Sequence, residues 1–115
     1  MTPENNLPVD NQQPDAKPQV HYANGGRSGT IYYTSDRTSF DVWYEFAMPP
    51  ALVIIGIPEP RHWEAHTKTP LSERTDILQF IGEQVTKDRL SGDGYFLIEY
   101  DNCMTIYPGK NPDAD

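Results

Sequence analysis

The run Arg61-His62-Trp63-Glu64-Ala65-His66 sets two imidazoles four residues apart with a carboxylate between them. Those are the residue types of a metal centre or a general-base site. On a helix His62 and His66 share a face, but Glu64 lies about 200° from each and cannot join them. A zinc-protease helix carries its glutamate directly after the first histidine, where this chain has Trp63. On a strand all three would point one way. Yet prolines at 58, 60 and 70 crowd the segment, and 61 to 66 contains no β-branched residue. Two ligands do not make a zinc site, and a third would have to come from His21, Cys103 or a carboxylate elsewhere in the chain. The expected role of the segment is structural, with Trp63 seating a proline-bounded turn against the core. His62 and His66 stay as the metal candidates of an alternative reading, a small metal-dependent enzyme or metal-binding protein.

Other chemistries fail on spacing. Cys103 follows Asp101 and Asn102, which oppose the electropositive setting that a thiolate nucleophile needs, so a small, mostly buried strand residue is expected there. No Gly-x-Ser-x-Gly elbow is present. Residues 88 to 99 end like a calcium loop on Glu99, but Leu90 takes the place of a liganding oxygen and Asp93 that of the required glycine. The Gly-rich passage at 23 to 29 lacks both the preceding strand and the Lys-Ser/Thr ending of a phosphate loop. No catalytic residue and no cofactor is expected, and the chain is read as not an enzyme.

The elements that position these side chains follow from periodicity. Residues 38 to 47 alternate, with Phe40, Val42, Tyr44 and Phe46 on one face and Asp41, Trp43 and Glu45 on the other. The apolar set turns inward. Asp41, Trp43 and Glu45 then form a candidate binding surface, an exposed tryptophan flanked by carboxylates, suited to a basic protein partner. The competing expectation is that Trp43 packs under a helix in a sheet buried on both faces. Strands are also expected over 30 to 34, 51 to 57, 94 to 100 and 103 to 107, the last two joined by a two-residue Asp101-Asn102 turn. Pro60 can open one or two helical turns over 60 to 66. Residues 71 to 90 form the long helix, capped by Ser72 and stopped at Gly92. Its buried stripe is Ile77, Leu78, Ile81 and Val85, with Arg74, Gln79, Gly82, Glu83 and Thr86 turned away. The order β-β-β-α-β-β predicts an α+β fold, a mainly antiparallel sheet of about five strands with one helix packed on one face.

The chain has 115 residues, enough for one domain, with nine Lys and Arg against seventeen Asp and Glu for a formal charge of −8. Such acidity repels phosphate backbones and argues against nucleic acid and anionic membrane as partners. Residues 1 to 24 are rich in Pro, Asn, Gln and Asp, and residues 108 to 115 in Pro and Asp; both read as disordered tails around a single domain from 25 to 107. There is no signal-peptide pattern, and one cysteine cannot build a disulfide framework. A cytoplasmic location follows, as a monomer or an edge-strand homodimer.

Residues 55 to 85 resemble the helix-opening half of small bacterial immunity proteins from polymorphic toxin systems. In that pattern an Ile-rich strand, a tryptophan, a proline and a Ser-Glu-x-Arg cap lead into an Ile-Leu-Ile helix. Ile57, Trp63, Pro70, Ser72, Arg74, Ile77, Leu78 and Ile81 take those places here. The resemblance implies a non-enzymatic inhibitor that binds a toxin, and it transfers no catalytic residue. It agrees with the reading of the residues themselves, a small soluble protein-binding domain.

Overall fold

In a computed structural model the described residues are 17 to 112. They form six strands and two α-helices: β1 (Gln19–Asn24), β2 (Ser28–Thr34), β3 (Ser39–Phe46), β4 (Val53–Gly56), α1 (Pro60–Thr67), α2 (Arg74–Leu90), β5 (Gly94–Glu99) and β6 (Cys103–Pro108). All six strands lie in one antiparallel sheet in the order β1-β2-β3-β4-β6-β5. The α+β class and the mainly antiparallel sheet are as expected from the sequence.

The sixth strand is β1, which falls where a tail was expected. Its Val20 and Tyr22 pair in register with Tyr33 and Ile31 of β2 and pack on the core. The segment carries too few apolar residues to declare itself, and the edge offered by β2 supplies the missing partner. The folded segment thus starts ahead of the expected boundary at residue 25. At the other end Pro108 closes β6, and Gly109 N–H donates to the Asp93 carbonyl, continuing the β5–β6 ladder. Of the expected tails, 1 to 24 and 108 to 115, residues 1 to 16 and 113 to 115 fall outside the described residues.

Along β3 burial alternates as the sequence predicts: Phe40, Val42 and Tyr44 are buried, while Asp41, Trp43 and Glu45 are exposed. The buried side chains join Ile31, Val53, Ile55, Met104 and Ile106 in a core closed by Ile77, Leu78, Ile81 and Val85 of α2. The whole predicted stripe is therefore buried. Gly82 and Thr86, expected to turn away, are buried as well, because the Phe96 ring of β5 packs against the bare backbone of Gly82. Arg74 is also held in, its guanidinium donating to the Pro58 and Asp101 carbonyls.

Helix ends differ from expectation. Leu71–Glu73 form a single 3-10 turn, so Ser72 lies inside it and makes no cap bond, and α2 begins at Arg74. Leu71 N–H donates instead to the Glu64 carboxylate at 2.9 Å, so the carboxylate between the two histidines satisfies the next helical turn. Ser91 and Gly92 both take positive φ and stop α2. The β5–β6 loop has three residues, since Glu99 pairs with Cys103, and the positive φ falls on Tyr100 rather than on Asp101 or Asn102.

Candidate interaction face

Beyond residues 44 to 46, β3 loses its neighbour: β4 pairs with these three and then parts from β3, its Gly56 pairing only with Cys103 of β6. The exposed backbone edge of β3 is covered by α1. Thr38 Oγ1 donates to the Thr67 carbonyl, and a ring nitrogen of His66, Nε2, lies 2.7 Å from the Asp41 carbonyl oxygen. A carbonyl only accepts, so Nε2 carries the proton and His66 is committed to the strand edge through that nitrogen. The helix follows from Pro60 at its first turn and ends where Lys68 takes positive φ.

Trp63 is the anchor of this arrangement. It is fully buried, its ring meets Phe40 edge to face, and its indole N–H faces Thr69 Oγ1 at 3.1 Å and the Pro70 carbonyl at 3.2 Å. Thr67 and Thr69, also buried, bond to each other at 2.9 Å, and Thr67 Oγ1 donates to the Trp63 carbonyl. The indole N–H and the hydroxyls of Thr67 and Thr69 that this plug brings into the core are all hydrogen-bonded.

The histidines remain at the polar rim, as the helical geometry requires. His62 and His66 border a cleft of about 410 Å³ whose other walls include Trp43, Gly56, Ile57, Pro58, Glu59 and Asn102. Among the described residues no group of three His, Cys, Asp or Glu stands close enough to hold a metal ion. The sequence treated the histidines and Trp43 as separate candidates; the departure of β4 brings them to one cleft.

Trp43 sits on the sheet face turned away from α2 and is 53% exposed. The other expectation, that a helix covers it, is not met. Its indole edge lies across Gly56, where a Cβ would stand 2.7 Å from Cζ2 and nearer still to Nε1 and Cε2. Gly56 therefore provides the floor that lets the ring lie flat while its outer face stays open. Asp41 and Glu45 flank it along the strand, both exposed, and Tyr32, exposed on the neighbouring strand, is paired in register with Asp41.

Farther across the same face lies a polar cluster that spacing alone did not indicate. The Glu99 carboxylate accepts from Thr105 Oγ1 at 2.8 Å and from the Tyr107 hydroxyl at 3.1 Å, and Tyr107 stacks on Tyr95. Loss of hydration, with the bond to Glu99, raises the Tyr107 phenol above its ordinary value. Cys103 is half-buried beside Thr105, in line with the strand residue expected there. Alternation puts Thr105 and Tyr107 on one face of β6, and the pairing of β5 with β6 brings Glu99 to that same face.

Compared with family models, curated proteins and solved structures, this chain matches none. No helix among the described residues is long and apolar enough to cross a membrane.

Proposed function

We propose that this is a small, non-enzymatic protein-binding domain whose open sheet face receives a basic protein partner. The observation that carries the reading is Trp43: a large aromatic ring, half exposed on a rigid central strand, floored by Gly56 and flanked by two exposed carboxylates. An aromatic side chain seated on a sheet loses little further freedom on binding, and buried aromatic anchors dominate interface energies. The formal charge of −8 draws a basic partner at long range, while Asp41 and Glu45 supply the local match. Neutralisation of a toxin in the bacterial cytoplasm, as by the immunity proteins that residues 55 to 85 resemble, is the specific form of this proposal. Nothing in the geometry favours the metal-dependent alternative, because His66 spends its Nε2 on the strand edge and Glu64 on Leu71.

Affinity capture from lysate with the native chain and with Trp43→Ala tests the reading. The expected result is a stoichiometric basic partner whose affinity falls by roughly 30-fold or more on Trp43→Ala, the cost of about 2 kcal/mol of a central aromatic anchor. A partner retained equally by Trp43→Ala, Asp41→Asn and Glu45→Gln would place the interface elsewhere.

A further inference from the structure

We propose that the free edge of β5 is a self-association edge, through which two copies of the chain pair their β5 strands antiparallel about a two-fold axis at Leu97. The inference is independent of the Trp43 face.

Among the described residues β5 is the last strand of the sheet, with β6 on one side only. The bond from Gly109 N–H to the Asp93 carbonyl continues the β5–β6 register, so odd-numbered residues of β5 turn their backbone groups toward β6. Gly94, Phe96 and Ile98 therefore present N–H and C=O at the open edge. Native edges are normally blunted by charge, proline or a bulge. From Gly94 to Ile98 there is none of these, and Ile98 is 43% exposed. The opposite edge strand, β1, starts directly after Lys17 and Pro18.

A second copy is the occupant that fits. In a chain of formal charge −8, Gly94 to Ile98 is an uncharged window where another copy can approach without charge placed against charge. The same window offers nothing to the lysines and arginines of a basic protein. With the axis at Leu97, Phe96 of each copy faces Ile98 of the other, and their outward backbone groups exchange hydrogen bonds. Leu97 meets Leu97, and Tyr95 meets Glu99. The half-exposed Ile98 is then covered by an aromatic ring, a favourable cross-strand pair. Moving the axis to Phe96 would set Asp93 against Glu99 of the strand twice, whereas at Leu97 the position opposite Asp93 is Asp101, already in the turn beyond the strand, so like-charge repulsion favours the Leu97 register. Pairing over so few residues falls short of the roughly 800 Å² per partner of a standard interface, which makes the dimer weak and concentration dependent.

Sedimentation velocity over a concentration series up to the millimolar range provides the test. The native chain is expected to pass from monomer to dimer, and Ile98→Lys, a change at an exposed position, to stay monomeric with an unchanged melting temperature. Leu97→Cys in a Cys103→Ser background reads the register: across a non-hydrogen-bonded antiparallel pair the Cα atoms stand about 4.5 Å apart, within disulfide reach, so mild oxidation should give a covalent dimer. A native chain that is monomeric throughout overturns the proposal. So does a dimer that survives Ile98→Lys or fails to cross-link at position 97.

Discussion

Two aromatic side chains with polar handles show how single residues are fixed here. Trp63 fills the space between Phe40 and α1 while its N–H finds Thr69 and Pro70. Replacing it by Phe keeps much of the apolar volume but removes the N–H shared by Thr69 Oγ1 and the Pro70 carbonyl, which keep only Thr67 and the Glu73 N–H, and opens a gap beside them. The expected loss is about 2 kcal/mol, measured by urea unfolding, against about 3–5 kcal/mol for Trp63→Ala. Tyr22 reports on alkali instead. Burial and the 2.6 Å bond to Asp88 push its phenol well above the ordinary value, with Asp88 charge adding to both. The unfolded chain loses that proton near pH ~10 while the folded chain keeps it, so this contribution is complete below pH ~10 and is lost as pH rises through the folded value. Tyr33 and Tyr107 are raised in the same direction. Tyr22→Phe should therefore flatten, without abolishing, the fall of the urea midpoint above pH ~10.

At the scale of elements, α2 is joined to the sheet at two points that its own sequence does not announce. Near its C-terminus the Arg89 guanidinium lies 5.0 Å from the Tyr22 ring centre, with Tyr44 at 5.6 Å and Phe46 at 5.5 Å, and so ties β1 and β3 to the helix. In its middle, a Cβ on Gly82 would stand 2.6 to 2.7 Å from three atoms of the Phe96 ring. Alanine is the better helix former by about 1 kcal/mol, but overpacking costs about 1–3 kcal/mol. Gly82→Ala is therefore expected to lower stability by about 1 kcal/mol in thermal unfolding, and adding Phe96→Leu should return part of it. A surface glycine with no packing role would give the opposite sign.

For the whole molecule, the sheet has one face under α2 and one face with the Trp43 surface open, and the chain around it is strongly acidic. Long-range attraction to a basic partner is screened over about 8–10 Å at ordinary ionic strength, so association should slow as salt rises. Stopped-flow association rates at low and high salt check this: a large fall in the on-rate with little change in the off-rate is expected, and a salt-independent on-rate would remove charge from the account. Gly94 to Ile98 carries no charge, but two copies of formal charge −8 repel each other at long range. Pairing at the β5 edge should therefore strengthen as salt rises, the opposite response to that of a basic partner.

What the sequence determined by itself is whatever repeats along the chain. The alternation of β3 and the helical spacing of Ile77, Leu78, Ile81 and Val85 were both legible, because a period sorts side chains onto faces before any partner is known. So was the failure of Glu64 to join His62 and His66, a consequence of helical angle alone. The tertiary structure decided what depends on a neighbour. β1 exists because β2 offers an edge, Gly82 is buried because Phe96 lies over it, and Ser72 gives way to Glu64 as the partner of the next turn. Trp43, His62 and His66 share a cleft only because β4 leaves β3 after three paired residues and α1 takes over the strand edge. Contacts between residues far apart in sequence carry no local period, and only the folded chain brings them together.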